Sequence, residues 1–296
     1  MLSILIPTYN DDCYELVQAL TLQAKALNLA DWEIIVADDG STDGQVIARN
    51  KNLQDIPGCR FVRNNDNMGR AAIRNFLVEQ ARGEYLIFID ADMKICEPNY
   101  LKRYVMAQAL GNVVYGGYIV QGGTKTNLRF LYEKQGEKNR SAQLRNNQPY
   151  KDFHTSNFMV SRKVMKDLPF DERFRHYGYE DVFWGKQLEV YGESIVHIDN
   201  PVAFCTFEQN SDFIVKTEEG LRTLRLFRNE LKGYSPLLKV ADKLERNKLK
   251  PLFACIFRVM GKRLKRLLLS KHTNLLAFQI YKLGYYLGLE LAPNDQ

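Results

Sequence analysis

The sequence lacks the features of small secreted proteins and of membrane-spanning proteins. Its five cysteines are scattered and odd in number, and no Cys-x-x-Cys pair occurs, so neither a disulfide framework nor a zinc site is predicted. No run of 18 uncharged apolar residues is present, which argues against a transmembrane helix. The N-terminus enters an apolar segment without a basic region or a cleavage site, so no signal peptide is expected. Together these absences favour a reducing cytoplasm.

Positive charge is unevenly distributed along the chain. Residues 232–282 hold 13 Lys or Arg against Asp242 and Glu245, a local net charge of +11 in a chain whose net charge is +6. The hydrophobic content of 45% and the length of 296 residues suffice for one large core with a smaller appendage. The pattern therefore predicts a basic C-terminal appendage on a slightly acidic core.

Strand and helix signals alternate over the first hundred residues. Four apolar, β-branched segments read as strands, and segments with helical spacing separate them; the strand segments are Leu2–Ile6, Glu33–Ala37, Arg60–Val62 and Tyr85–Ile89. Repeated β-α-β units of this kind predict a doubly wound, mostly parallel sheet in an α/β fold. A further strand is predicted over His154–Arg162.

Two carboxylates follow the fourth predicted strand, in the segment Asp90-Ala91-Asp92. Residues two apart along a strand point the same way, so both carboxylates are expected to face one side of the sheet's carboxyl edge. Open α/β sheets bind ligands at that edge. A divalent cation shared with a diphosphate would offset the repulsion between the two charges. The alternative is a solvated loop that carries two aspartates.

Five segments together resemble the family 2 glycosyltransferases, which have the GT-A fold. Their order and spacing carry the resemblance, and they read Ile6-Pro7-Thr8-Tyr9-Asn10, Asp38-Asp39-Gly40-Ser41-Thr42-Asp43, Asn67-Met68-Gly69 with Arg74-Asn75, Asp90-Ala91-Asp92, and Gly178-Tyr179-Glu180-Asp181. The resemblance implies a nucleotide-sugar-binding half over 1–95, an acceptor-binding half over 96–210, and a helical basic extension over 211–296.

The resemblance assigns the nucleotide site to the loops after the first two strands. Pro7, Thr8 and Tyr9 would border the base, and Asp38 and Asp39 would accept hydrogen bonds from a base N–H or from ribose hydroxyls. For the second loop, the alternative is a tight turn that caps a helix, which suits Ser41, Thr42 and Asp43 in particular.

The resemblance also places Arg74 and Asp90 beside the nucleotide and gives Asp92 a metal ion, Mg²⁺ or Mn²⁺. Arg70 lies one helical turn before Arg74 and would share its face; for Arg70 a solvated surface position is equally expected. The metal would neutralise the charge of a departing nucleoside diphosphate.

Asp181 matches the family's catalytic base, which takes a proton from the acceptor hydroxyl. Glu180, next to it, is explained as well by the dipole of the helix that begins there. Trp184, in the following turn, would either floor the acceptor site or pack in the core. Many family members place a metal-binding His after this region, whereas residues 200–208 contain none. His197 lies upstream in a strand-like segment and is expected to be packed rather than to bind metal.

The basic C-terminal region has helical periodicity. Phe257, Met260, Leu264, Leu267 and Leu268 recur on one side, with lysines and arginines on the other. Within 248–282, this pattern fits contact with an anionic membrane surface, which would place the protein at the inner face of the cell membrane. It also fits a helix that packs on the core; nucleic acid is not expected, because no binding motif accompanies the charge.

Taken together, the sequence predicts an inverting glycosyltransferase of polysaccharide biosynthesis that uses a nucleotide-sugar, with UDP favoured, and a glycan or lipid-linked acceptor. Two alternatives stay open. A nucleotidyltransferase acting on sugar phosphates would need a Gly-rich basic loop near the N-terminus, where Pro7 to Asn10 contain neither glycine nor lysine. A non-catalytic binding or assembly subunit of the same fold would fit the missing His.

Overall fold

A computed structural model describes residues 1–29, 31–137 and 141–289. In this part of the chain the strands are β1 Leu2–Thr8, β2 Trp32–Asp38, β3 Cys59–Arg63, β4 Tyr85–Ile89, β5 Met93–Ile95, β6 Val113–Tyr115, β7 Tyr118–Val120, β8 Asn157–Ser161, β9 Ile195–His197 and β10 Val202–Phe204.

The helices alternate with the strands in the first half of the chain and dominate after β10. They are α1 Tyr14–Ala26, α2 Gly44–Lys51, α3 Arg70–Gln80, α4 Tyr100–Ala107, α5 Leu128–Glu137, α6 Ala142–Arg145, α7 Arg162–Asp167, α8 Glu180–Tyr191, α9 Asn210–Leu226, α10 Pro236–Arg246, α11 Lys250–Leu269 and α12 Leu275–Gly288. A short 3₁₀ helix, Asn52–Asp55, follows α2.

A seven-stranded sheet with the order β3-β2-β1-β4-β8-β6-β9 forms the centre of the fold. Strands β3, β2, β1 and β4 are mutually parallel, and β8 runs antiparallel to both of its neighbours. The predicted doubly wound, mostly parallel sheet is therefore confirmed. A second sheet has the order β5-β10-β7.

The parallel strands form because their residues are apolar on both faces. In β1, Ile4, Leu5 and Ile6 are fully buried, and in β4 the same holds for Leu86 through Ile89. Continuous burial of this kind is typical of a parallel sheet covered by helices on both sides. The strand predicted over 154–162 is shorter, because Ser161 ends it and caps α7 by accepting the N–H of Val164.

The chain divides into two compact units. Unit 1 comprises Met1–Gln121, Glu137–Arg175 and Trp184–Cys205, and unit 2 comprises Gly122–Gly136, His176–Phe183 and the chain from Thr206 onward. Unit 1 contains both sheets and a core around Phe88, Phe158 and Trp184. The division predicted at residues 95 and 210 stays a prediction.

Unit 2 is helical, and its core is built mainly from α9, α11 and α12. Phe213, Leu268 and Phe278 are at its centre, with Leu264 and Leu267 packed against them. The packing alternative predicted for the basic region is therefore correct for Leu264, Leu267 and Leu268, whereas Met260 is exposed. No described helix is both long enough and apolar enough to cross a bilayer.

Candidate active site

The carboxyl ends of three neighbouring parallel strands define the candidate site in unit 1. Strand β1 ends at Thr8, β2 at Asp38 and β4 at Ile89, and the pairing register aligns Thr8 with Asp38. The last residues of these strands and the loops after them hold the predicted nucleotide-site residues, except Arg74, which lies in α3. Tyr9 is 45% exposed, Pro7 is half-buried, and the Thr8 hydroxyl donates to the Asp11 carbonyl at 3.0 Å.

Asn10 joins the first two loops, a role that the sequence reasoning missed. Its backbone N–H donates to the Ser41 hydroxyl at 2.7 Å, and its side-chain oxygen accepts the N–H groups of Thr42 and Asp43, each at 2.9 Å. Asn10 has a φ of +58°, a conformation that Asn tolerates better than most residues. Because Asp43 caps α2 through Gln45 N–H, the helix start and both loops are fixed together.

Asp38 and Asp39 are both buried and both bind protein donors. One Asp38 oxygen accepts the Ser41 N–H at 2.8 Å, and the other lies 3.3 Å from Arg63 Nε. The Asp39 carboxylate accepts the N–H groups of Met68 at 2.8 Å and Gly69 at 3.0 Å, at the start of α3. The alternative of a tight turn that caps a helix is therefore correct for Asp43, which caps α2. Asp39 does not cap α2; it accepts hydrogen bonds at the N-terminus of α3.

Burial raises the pKa of Asp39 above its ordinary value, although the amides of Met68 and Gly69 oppose the shift and the charge of Asp38 adds to it. Gly69 makes the close approach possible, because it has a φ of +92° and a Cβ there would lie 2.8 Å from the Arg175 carbonyl oxygen. The loop that receives Asp39 thus requires glycine at this position.

Asp90 and Arg74 form a short ion pair at the end of β4. Arg74 Nη2 lies 2.6 Å from Asp90 Oδ1, and its Nη1 donates to the Arg70 carbonyl at 3.0 Å. Arg74 is 1% exposed, so its charge is held within the protein beside Asp90. Arg70 is exposed on the same helix, which fits the surface position expected for it.

The strand argument for Asp90 and Asp92 is wrong. Strand β4 ends at Ile89, and the Met93 N–H donates to the Asp90 carbonyl at 3.1 Å, which closes a tight turn. Side-chain alternation therefore does not extend through the two aspartates. Asp92 is half-buried in this turn. The described residues contain no group of three or more His, Cys, Asp or Glu side chains that could hold a metal ion.

Glu180 and Asp181 are the first two residues of α8 and belong to unit 2. The residues before them have left-handed backbone, with φ values of +93° at Gly178 and +72° at Tyr179. A positive φ at a bulky residue is strained, and such strain concentrates at functional sites. Burial, together with the nearby charges of Tyr132 and Asp181, raises the pKa of the Tyr179 phenol. Sequence reasoning had no signal for this backbone conformation.

Residues 3–169 match a family model described as "Glycosyl transferase family 2". The chain belongs to this family. It is 35% identical over 238 residues to an uncharacterized glycosyltransferase of Haemophilus influenzae, which covers 77% of this chain and 87% of that one. It is also 25% identical over 281 residues to the hyaluronan synthase of Pasteurella multocida, covering 81% of this chain. It spans 28% of that synthase, and 15% of the length of the uncharacterized protein y4gI of Sinorhizobium fredii.

Solved structures show the fold. The structure of Staphylococcus aureus TarS with UDP-GlcNAc matches with a TM-score of 0.53 at 16% identity, covering 96% of this chain and 90% of that one. The mannosyltransferase PcManGT of Pyrobaculum calidifontis, in complex with GDP-Man and Mn²⁺, matches with a TM-score of 0.51 at 16% identity, covering 94% and 77%. The predicted GT-A fold and the predicted membership among the family 2 glycosyltransferases are confirmed.

Trp184 does not floor a ligand site in this family member. Its side chain is fully buried among Phe153, Phe158 and Phe170, and its indole N–H donates to the Leu168 carbonyl at 2.9 Å. The core alternative is therefore correct, because an acceptor could not reach a ring without exposed surface.

His197 is packed in strand β9, as expected. Its Nδ1 accepts a hydrogen bond from Arg145 Nε at 3.1 Å, and its Nε2 lies 2.9 Å from the Pro149 carbonyl oxygen. Burial lowers the pKa of His197 to about 4. The ring is therefore neutral near pH 7, and both of its nitrogens are occupied by protein partners.

Proposed function

We propose that this chain transfers a sugar from a nucleotide-sugar, with UDP favoured, to a hydroxyl of a glycan or lipid-linked glycan, with inversion at the anomeric carbon. Family membership supports glycosyl transfer, and the fold is shared with a protein solved with UDP-GlcNAc. The hyaluronan synthase among its relatives favours a role in polysaccharide assembly. The observation that carries the proposal is the convergence of the loops after β1, β2 and β4 at one sheet edge, which is where open α/β sheets bind ligands.

On the donor side, we assign base contact to Tyr9 and loop positioning to Asp38 and Asp39. Tyr9 offers an exposed ring at the sheet edge, which suits stacking on a base. The two buried aspartates already bind protein donors, yet each carboxylate oxygen can accept more than one hydrogen bond. They would therefore shape the loop and could still accept from a base N–H or a ribose hydroxyl.

At the diphosphate, we propose that Asp92 binds the metal ion and that the Arg74–Asp90 ion pair fixes the turn after β4. Mg²⁺ and Mn²⁺ favour oxygen ligands, and Mg²⁺ usually binds one or two carboxylates together with substrate phosphates and water. The carboxylate oxygens of Asp92 fit that arrangement. When bound, the ion would neutralise charge on the departing nucleoside diphosphate.

For the acceptor, we assign the proton transfer to Asp181. The carboxylate would take the proton of the attacking hydroxyl as its oxygen bonds to the anomeric carbon. The bond from that carbon to the diphosphate breaks in the same displacement, and the electron pair leaves with the nucleoside diphosphate. Glu180, in the same first turn of α8, would contribute negative charge at a helix N-terminus.

The test is calorimetric titration of UDP into the purified chain, first with Mn²⁺ and then with EDTA. The wild type is expected to bind UDP only with the metal, and Asp92→Ala is expected to abolish this binding. Asp55→Asn, which alters an exposed carboxylate in the 3₁₀ helix after α2, is the matched control and is expected to bind like the wild type. Metal-independent binding, or unchanged binding by Asp92→Ala, would remove the role assigned to Asp92.

If the chain does not bind UDP, GDP is titrated next, because the fold is also shared with a protein solved with GDP-Man. The nucleotide dTDP is titrated after GDP. Failure with all three nucleotides would favour the non-catalytic alternative over an enzyme. Transfer itself is then tested by release of the nucleoside diphosphate in the presence of candidate acceptors, where Asp181→Asn is expected to abolish turnover and leave nucleotide binding unchanged.

A further inference from the structure

Helix α11 of unit 2 carries apolar residues over a wide arc, and among the described residues only part of that arc packs in the unit 2 core. Leu264, Leu267 and Leu268 contribute to the unit 2 core. In the first half of the helix, Leu252, Ile256 and Val259 are 61%, 49% and 69% exposed. Their spacing of four and three residues places them on one helical stripe. A contiguous row of exposed apolar side chains is typical of a surface that contacts a partner or a membrane.

The same stripe becomes basic toward the C-terminus of the helix. Arg263 and Arg266 continue the spacing of four and three residues, and Arg258 and Lys262 add two more cations to the helix. All four are exposed, and none of them has an ion pair among the described residues. In contrast, Lys265 points inward and pairs with Glu218 at 2.7 Å. Helix α11 contains no Asp or Glu at all.

We propose that this outward stripe, Leu252, Ile256, Val259, Arg263 and Arg266, docks unit 2 on an anionic phospholipid surface. A helix lying in the plane of the bilayer surface can insert exposed apolar side chains between headgroups while neighbouring cations meet the lipid phosphates. Clusters of exposed Lys and Arg are attracted to anionic leaflets, and within the described ranges no ion pair competes for these four cations. The proposal does not depend on the nucleotide that the candidate active site binds.

The charge pattern selects this occupant over two others. A second copy of the chain would bring an equal set of arginines and lysines against this one, and like charges in contact are costly. A nucleic acid would match the cations, but the exposed aliphatic half of the stripe would have nothing to contact along a phosphate backbone. A membrane surface offers apolar contact to the aliphatic residues of the stripe and lipid phosphates to its cations.

The location differs from the sequence prediction of a membrane-facing stripe. The predicted apolar stripe included Leu264, Leu267 and Leu268, which the structure places in the unit 2 core. The exposed stripe lies about 100° around the helix axis from those leucines, and its apolar residues are in the first half of the helix. Its residues were not selected from the sequence, because apolar residues spread over so wide an arc give no single direction for the core.

The experiment is co-sedimentation of the purified full chain with vesicles of phosphatidylcholine alone and of equimolar phosphatidylcholine and phosphatidylglycerol. The wild type is expected to bind the anionic vesicles at least about tenfold more tightly, with affinity that falls as salt is raised. The triple variant Leu252→Ser, Ile256→Ser, Val259→Ser and the double variant Arg263→Glu, Arg266→Glu are each expected to lose about tenfold or more.

Two controls isolate the stripe. Leu276→Ser changes an apolar residue of α12 that is 73% exposed, and Lys51→Glu with Lys166→Glu makes the same change in net charge on unit 1. Both are expected to bind like the wild type. Equal binding by the triple variant, equal affinity for neutral and anionic vesicles, or no binding to either would overturn the proposal. So would a concentration-dependent dimer, or tight binding of duplex DNA, that the stripe variants abolish while vesicle binding persists.

Discussion

Replacement of Arg74 by Met tests whether the ion pair with Asp90 holds the turn after β4. Methionine keeps most of the side-chain volume and removes the guanidinium. Arg74 is 1% exposed and its Nη2 lies 2.6 Å from Asp90, whose side chain is 20% exposed. The variant therefore leaves a carboxylate with little access to water and without its short N–H partner.

The expected cost follows from that geometry. Removal of one partner from a buried ion pair costs about 3–5 kcal/mol, because the remaining charge is uncompensated. Partial hydration of Asp90 lowers this, so about 2–4 kcal/mol of unfolding free energy should be lost on Arg74→Met. If the loss arises from the uncompensated charge, Asp90→Asn in the same chain should add little to it. A coupling free energy of at least about 1 kcal/mol is expected between the two sites.

The assay is urea unfolding of the wild type, both single variants and the double variant, followed by tryptophan fluorescence, which reports on unit 1 through buried Trp184. Lys51→Met, which removes an exposed cation of α2 that has no ion pair among the described residues, is the control and should change stability by less than about 0.5 kcal/mol. Additive effects of the two single variants, or a loss for Arg74→Met no larger than that of the control, would refute the reasoning.

Three further outcomes follow from the described contacts. The Gly116→Ala variant should unfold at markedly lower urea, since a Cβ there would lie 2.5 Å from the Asn200 carbonyl oxygen, whereas Gly44→Ala, with nothing within 4 Å, should be neutral or stabilising. Because the Arg228 hydrogen bond lowers the pKa of Glu245 to about 2, against 4.5 ordinarily, the wild type should lose stability as pH falls through that range, and Glu245→Gln should lose less. Because burial lowers the pKa of His197 from 6.5 to about 4, NMR of the folded chain should show a neutral His197 ring between pH 4 and pH 6.5. In the urea-unfolded chain the ring should take up a proton within this pH range, and titration near pH 6.5 in the folded chain would contradict the prediction.

The parallel half of the sheet could be predicted from the sequence because its strands are buried on both faces. Runs such as Tyr85–Ile89 have no polar interruption, and that continuity is a local signal. The direction of β8 could not be predicted in the same way, since its five residues are all buried and carry no mark of antiparallel pairing. The alternation of helices and strands along the first half of the sequence therefore predicts the fold class. The order of the strands within the sheet depends on contacts between residues far apart in the chain.

The candidate site residues could be located by motif, but the contacts of their side chains could not. The Asp38-Asp39 motif indicates acids at a sheet edge; it does not indicate that Asp39 would bind the amides before α3, about thirty residues later in the chain. The same limit applies to Trp184, whose position after Asp181 suggested a ligand contact although its ring is in the core. The local sequence indicates which residues lie near the carboxyl edge of the sheet. The direction of each side chain depends on packing between distant parts of the chain.

The structural use of these acids changes how a loss of activity should be interpreted. Asp38, Asp39 and Asp90 each bind protein donors, so replacing any of them would disturb a loop as well as any contact with a nucleotide. A low activity in such a variant therefore does not distinguish binding from positioning. Tyr9 is different, because its ring is 45% exposed and is not part of the clusters around Trp184 or Phe278. A change there that weakens nucleotide binding while unfolding free energy stays constant is direct evidence of contact, and the assignment of the donor site depends most on that residue.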